Sequence, residues 1–338
     1  MDCIEIDGSY LEGGGQILRT ALGLSAATGQ ACRIYNIRKG RPTPGLAAQH
    51  LSAVTAVSRL CDAALGGAKM GSTELVFRPR ALQPPQGVSV DVGTAGSVVL
   101  VLQAAVLALA RADRMVELEV SGGTHVKWSP TTDYLEQVCC YSLGQIGLGV
   151  RLLDVQAGFY PRGGGRIRVL VTPGPLTPLE LTSRSGLQRV TARSIASTDL
   201  QRTRVAERQV EGLATLVQVD HAVPGYVQSL STGSAIQATA EYENCRLGAS
   251  SLGERGKRAE KVGVACGRDL KWLMSGGACL DDHMADQVLP YLALAGGESK
   301  VRVAGITDHC RTNVWVIEQF LPARFELDEE RGLITCRA

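Results

Sequence analysis

The run DGSYLEGGGQILRT, Asp7 to Thr20, places an acidic strand end, a glycine triplet and a helix start in direct succession. Cys3 to Asp7 reads as a strand, and Gly13–Gly15 open a helix that continues to about Thr28. Three glycines let the backbone approach a ligand closely, and the free amides of a helix start attract anions. Gln16 and Arg19 stand three apart and share one helix face, opposite the apolar stripe of Ile17, Ala21 and Leu24. Glu12, just before the triplet, offers a hard oxygen ligand for a divalent cation next to such an anion. Read alone, the run fits a tight strand-to-helix turn with a solvated arginine slightly better.

Along the rest of the first half, strand-like and helical segments alternate. Ala31–Ile37 is a second strand and Gly45–Leu65 a second helix, with apolar residues at helical spacing. Strands follow near Glu74–Phe77 and Val88–Val92. A third helix starts after the cap region Thr94–Ser97, and Met115–Val120 is another strand. Helices between pairs of strands argue for α/β or α+β layers, the helices on one face of each sheet. Tyr10-Leu-Glu-Gly-Gly-Gly-Gln-Ile is echoed by Tyr160-Pro-Arg-Gly-Gly-Gly-Arg-Ile, which suggests duplicated units. Pro173, Pro175 and Pro178 punctuate the chain after the strand Arg166–Val171. From Val190 to Gly267 the pattern changes to strand, helix and a long polar β-like stretch, Tyr226–Arg246. The pattern of the first half resumes near Ala278, so this segment reads as an inserted small domain.

Composition narrows the class of function. With 45% hydrophobic and 20% charged residues the chain is an ordinary globular protein, and a net charge of +2 restricts any phosphate-binding surface to local clusters. Ten cysteines without a CxxC pair are small buried thiols in a reducing compartment. The N-terminus has no signal-peptide pattern, and the apolar run Val98–Ala110 is broken by Gln103 and too short for a bilayer. A cytoplasmic protein is expected. No GxxxxGK[ST] loop, HExxH or GxSxG occurs, so P-loop, zinc-peptidase and serine-hydrolase chemistry have no foothold.

Three further segments carry chemistry. In IRKGRPTPGLAAQH, Ile37 to His50, Arg38, Lys39 and Arg41 form a basic cluster before a proline-rigid turn, followed by Gln49 and His50 on a helix; arginine engages phosphate oxygens bidentately. In ITDHCRTNVWVIEQF, Ile306 to Phe320, Thr307-Asp308 signals a helix start after the strand Val301–Ala304, with the stripe Val314, Ile317 and Leu321 behind it. His309 falls in the first turn, where the positive end of the helix disfavours imidazolium and keeps the ring nucleophilic. In LDDHMADQVLPYLALAG, Leu280 to Gly296, His283 and Gln287 are one turn apart, as are Asp282 and Asp286, ahead of a kink expected at Pro290.

Together these segments resemble the RNA 3′-terminal phosphate cyclase family. DGSYLEGGGQILRT, IRKGRPTPGLAAQHL, TAGSVVLVLQ, EVSGGT, GFYPRGGG, GASSLGERG, ADQ and His309 with its following Thr-Asn occur in family order over nearly the whole chain. The resemblance implies repeated units of two helices on a four-stranded sheet, with residues 1–184 and 278–338 in a large catalytic domain and 185–277 in a small inserted α/β domain. It implies an ATP-dependent ligase that converts an RNA 3′-phosphate to a 2′,3′-cyclic phosphate, His309 carrying AMP covalently. By the same resemblance Glu12 would bind Mg²⁺ or Mn²⁺. Arg19, Arg38, Arg41 and Gln49 would hold phosphates of nucleotide or RNA. Gln103, Pro130, His283, Met284, Ala285, Asp286 and Gln287 would frame the nucleotide. Two positions depart from the family pattern: His125-Val126 stand where an asparagine is usual after GGT, and His283 where a tyrosine is usual. A non-catalytic branch of the family, serving ribosomal RNA maturation, lacks the histidine that is present here. Enolpyruvyl transferases share a repeated-unit architecture but not these motifs.

Overall fold

A computed structural model describes residues 3–338. Its first unit runs β1 (Ile4–Asp7), α1 (Gly15–Thr28), β2 (Cys32–Tyr35), α2 (Ala48–Cys61), β3 (Ala64–Gly66) and β4 (Leu75–Arg78). The second runs β5 (Gly87–Asp91), α3 (Val98–Ala108), β6 (Val116–Gly122), a helical stretch, then β7 (Gly149–Gln156) and β8 (Gly165–Thr172). That stretch comprises α4 (Thr132–Tyr134), the π-helical turn Leu135–Cys139 and α5 (Cys140–Gln145). A third unit opens with β9 (Glu180–Leu181) and is then interrupted. The interrupting chain forms β10 (Leu187–Ser197), α6 (Val205–Ala214), β11 (His221–Val227), β12 (Ser234–Tyr242), β13 (Arg246–Leu252) and α7 (Ala259–Ser275). The third unit then resumes with α8 (Asp282–Ala295), β14 (Glu298–Arg302), α9 (Asp308–Phe320), β15 (Arg324–Asp328) and β16 (Leu333–Arg337).

The three units share one connectivity. Their sheets are ordered β1-β2-β4-β3, β5-β6-β8-β7 and β9-β14-β16-β15. In each, the first strand pairs parallel to the second, and the other pairings are antiparallel. The parallel pair needs a helical crossover, and the antiparallel last pair closes with a short turn. The intervening sheet, β11-β10-β12-β13, has another order. The architecture is therefore α+β layers built from repeated units, as the motif resemblance implied.

Several local expectations needed correction. The Tyr10 and Tyr160 echo is not the mark of the repeat: Gly13–Gly15 lead into helix α1, whereas Gly163–Gly165 lead into strand β8. The second helix is shorter than its periodicity suggested, because Asp62 adopts a left-handed C-cap and the chain turns into β3. The polar β-like stretch contains β12, every residue of which is buried. β12 is a central strand between β10 and β13. Helices α6 and α7 pack against it, while Thr239 donates from Oγ1 to Gln137 Oε1 of the π-helical turn (2.7 Å). Pro290 lies inside α8, which continues through it to Ala295.

Helices of different units pack on one another rather than only on their own sheets. α1 contacts α2, α3 and α9, and α8 contacts α9 and α3. A single hydrophobic cluster runs through these contacts and into every unit. Nine of the ten cysteines belong to it or pack against it, and all ten are free thiols. Among the described residues no helix is long and apolar enough to cross a membrane.

Candidate active site

A cavity of about 820 Å³ lies between α1, α3, α8 and α9. It is lined by Glu12, Arg19, Arg38, Arg41, Gln49, Gln103, Pro130, His283, Met284, Asp286, Gln287 and His309. These residues come from all along the chain, so their convergence is tertiary. Of the residues expected here only Ala285 is missing: its side chain is fully buried in the core.

The anion-attracting end of the cavity is built by α1. Gly14 is its N-cap in an extended conformation, and no side chain caps the first turn. Those amides are left for a ligand. Gly15 must be glycine, since a Cβ there would collide with His50 Nε2 and crowd Arg19. Arg19 keeps its charge, although burial lowers its pKa to about 10 against the opposing pull of Asp286. Arg38, itself at φ 56°, donates from Nη1 to Gly45 O at 2.8 Å. His50 Nδ1 accepts the Ala47 N–H at 3.1 Å. Burial, with Arg19 and Arg38 nearby, pushes the His50 pKa down to about 3, so the ring stays neutral beside the arginines. Lys39 is exposed and does not line the cavity.

His309 is the second residue of α9, whose N-cap Thr307 accepts the Cys310 N–H. Its Nδ1 lies 2.5 Å from Gln16 Oε1. An amide oxygen only accepts, so Nδ1 carries the hydrogen and Nε2 keeps its lone pair. The Gln16 amide is itself oriented by donation from Nε2 to Asp286 Oδ2, at 2.6 Å. Burial lowers the His309 pKa; Glu12 opposes this, and Arg19 and Arg41 reinforce it. The side chain remains half exposed toward the cavity. Nε2 lies 4.0 Å from Glu12 Oε1, and Glu12 Oε2 accepts from Arg41 Nη2 at 3.0 Å. The arrangement is a nitrogen nucleophile with a free Nε2 beside Glu12, sharing the cavity with Arg19, Arg38, Arg41 and the uncapped start of α1.

Asp286 belongs to this relay, not to a solvated helix face. Burial raises its pKa to about 7, while His283, Arg19 and Gln16 act to hold it down. Asn313 ties the same region together: its Oδ1 accepts from Thr20 Oγ1 (2.7 Å) and its Nδ2 donates to Asp286 O (2.8 Å). The sequence motifs assign no site role to Gln16 or Asn313. The one available signal is the spacing that puts Gln16 on the face of Arg19.

Away from the start of α1 the cavity wall carries fewer charges. Gln103 Nε2 donates to Gln287 Oε1 at 2.8 Å, and Gln287 Nε2 donates to His283 O at 2.8 Å. Gln49 Oε1 accepts the Ser97 N–H at the N-cap of α3. His283 is exposed to the cavity and stands edge-on to Tyr134, with ring centroids 6.2 Å apart. Tyr134 donates to Asp281 Oδ1 at 2.5 Å, and Asp281 also caps α8 through the amides of His283 and Met284. The other unusual histidine, His125, faces inward: it is 3% exposed, with Nε2 2.8 Å from Asp133 Oδ2 and Nδ1 2.8 Å from Thr124 Oγ1. It has no part in the cavity wall.

Glu12 is the carboxylate nearest the nucleophile, and no group of three or more His, Cys, Asp or Glu able to hold a metal ion occurs among the described residues. A hard cation that keeps several waters and takes few protein ligands fits such a donor set; a site of tightly ligated zinc does not.

Comparison with known proteins agrees with the motif reading. Residues 10–327 match the sequence profile of the family described as RNA 3′-terminal phosphate cyclase. A protein of that name from Methanopyrus kandleri is 46% identical, with 98% of this chain and 97% of the relative covered. Relatives of the same name from Pyrococcus abyssi and Nitrosospira multiformis are 44% and 43% identical, covering 97% and 99% of this chain and 96% of each relative.

Proposed function

Since the chain belongs to the RNA 3′-terminal phosphate cyclase family, we propose that it converts an RNA 3′-phosphate to a 2′,3′-cyclic phosphate with consumption of ATP, His309 serving as the nucleotidyl carrier. The observation that carries this reading is the His309 ring, its Nδ1–H bound to Gln16 and its Nε2 left free beside Glu12, in one cavity with Arg19, Arg38, Arg41 and the uncapped start of α1.

In the first step Nε2 attacks the α-phosphorus of ATP; an N–P bond forms and diphosphate leaves. The Nδ1–H donation to Gln16 strengthens as positive charge develops on the ring, so part of the stabilisation is specific to the transition state. Asp286 lies behind Gln16 and can supply the compensating charge. In the second step an oxygen of the RNA 3′-phosphate attacks the same phosphorus and the N–P bond breaks, restoring neutral His309. In the third the neighbouring 2′-hydroxyl attacks the 3′-phosphorus, expels AMP and gives up its proton. That attack is intramolecular, and effective molarities for well-oriented groups reach roughly 10⁵ M or more, so positioning and charge neutralisation suffice.

Arg19, Arg38 and Arg41, with Gln49, are assigned to phosphate oxygens of nucleotide and RNA. Gln103, Pro130, His283, Met284 and Gln287 are assigned to the nucleoside end, and Asp286, bonded to Gln16, to the support of His309. Glu12 would hold Mg²⁺ or Mn²⁺, which when bound neutralises phosphate charge at the reacting phosphorus. Opening the Arg41 pair would free its second oxygen. The test is to incubate the chain with α-labelled ATP and metal, denature it and look for acid-labile label. Wild type should carry it and His309→Ala should not. Label on a folded His309→Ala chain would overturn the histidyl mechanism.

A further inference from the structure

The motif GASSLGERG, Gly248 to Gly256, has no part in the chemistry above. Its first half lies in β13, and Ser250 of that strand lines the cavity. Its second half leaves the cavity as a surface loop, Gly253–Arg258, in which Glu254, Arg255, Gly256 and Arg258 are exposed. Among the described residues Arg255 and Lys257 have no carboxylate within ion-pair distance, and Arg258 has only Glu260, at 3.6 Å. The loop ends at α7, a 17-residue helix whose first turn has no side-chain cap. It therefore combines three cations with free helix amides.

Beside it stands an aromatic residue that the described residues leave uncovered. Lys127 Nζ donates to Glu254 Oε2 at 3.0 Å, tying the loop to the segment that carries Trp128. Trp128 is 94% exposed, on a left-handed backbone at φ 65°, and lies on the rim of the cavity. Exposure of an indole and a positive φ for an aromatic residue are both unfavourable. Its flanks are both tied down, Lys127 to Glu254 on one side and Ser129 Oγ to Ser97 Oγ on the other.

We propose that Trp128 and the loop Arg255–Arg258 form a second subsite that holds the single strand leading away from the reacting 3′-end, one base stacked on the indole and its phosphates on Arg255, Lys257 and the start of α7. An aromatic platform flanked by unpaired cations is how single strands are bound without sequence preference. The path is continuous with the cavity through Ser250 and Trp128. The assignment rests on the cyclase reading for where the 3′-end sits, and it gives the intervening sheet a role: to present the basic loop.

The test compares wild type, Trp128→Ala, Trp128→Phe and the double variant Arg255→Ser with Lys257→Ser. Binding of a 3′-phosphorylated mononucleotide and of a 3′-phosphorylated octanucleotide is measured by anisotropy over a range of salt, and label uptake from ATP is measured separately. ATP labelling and mononucleotide binding should match wild type in every variant. Octanucleotide binding should weaken about tenfold or more in Trp128→Ala, the scale of one base stack, and recover in Trp128→Phe. In the double variant the slope of log affinity against log salt should flatten by about 1.4, two contacts at about 0.7 each. Octanucleotide affinity equal in wild type and both loss variants, or absent from wild type, overturns the subsite. Absence of ATP labelling in wild type overturns the cyclase reading instead and leaves the binding comparison decisive for the subsite.

Discussion

Replacing Gln16 by methionine keeps the length of the side chain and deletes both of its polar contacts. Gln16 is 7% exposed, so water does not readily take their place. The contact to His309 Nδ1 at 2.5 Å fixes which ring nitrogen is free. A net hydrogen bond is worth about 1 kcal/mol, and about 1.5–3 kcal/mol when a partner is charged, as the ring becomes during attack. At about 1.4 kcal/mol per factor of ten, formation of the AMP adduct should slow roughly five- to hundredfold. The contact to Asp286 at 2.6 Å holds that carboxyl down; without it the Asp286 pKa should climb above about 7. Gln16→Glu makes the complementary change, placing a carboxylate against Nδ1. The His309 pKa, lowered in the native chain, should then rise, and the acid limb of the labelling rate, which lies below pH 6.5 in wild type, should move to higher pH. The assay is single-turnover labelling from α-labelled ATP across pH, with a thermal melt of each variant. A folded Gln16→Met chain that labels at the wild-type rate, with Gln16→Glu leaving the pH profile unmoved, would refute the claim that Gln16 sets the tautomer.

Other expectations follow from the same geometry. Glu12→Gln should lower activity in a way that added Mg²⁺ or Mn²⁺ partly restores, because the metal's remaining ligands are phosphates and water; a loss identical at every metal concentration would make Glu12 a structural partner of Arg41. His50 is neutral when folded, with a pKa near 3 against 6.5 for an unperturbed imidazole, so the stability it contributes is complete above pH 6.5 and falls as the pH drops. Between about pH 6.5 and 4 this amounts to about 3 kcal/mol, which His50→Gln should remove from the acid dependence seen in denaturant melts. His283→Ala should raise the ATP concentration needed for labelling by the loss of one stacking partner, on the order of 1–3 kcal/mol. An unchanged ATP dependence at every pH would return His283 to a surface residue.

Features set by near neighbours along the chain were readable before any tertiary contact was known. The starts of α1, α3 and α9 were legible from Gly13–Gly15, Ser97 and Thr307, because capping and helical periodicity act within one turn. The co-linear motifs identified the family, and the residues to which they give a site role line one cavity, except Ala285, which is turned into the core; Lys39 of the basic cluster stays outside. The remaining features depend on contacts between distant segments. That the glycine echo at Tyr160 starts a strand depends on β6 and β7 pairing on either side of β8. That β12 is buried at every position, despite Ser234, Gln237, Thr239 and Glu241, depends on neighbours on both edges and both faces. The Asp286–Gln16–His309 relay joins residues separated by 270 and 293 positions. No local propensity encodes such a contact: it exists only once α1, α8 and α9 have packed together, and that packing turns an ordinary first-turn histidine into one with a defined lone pair.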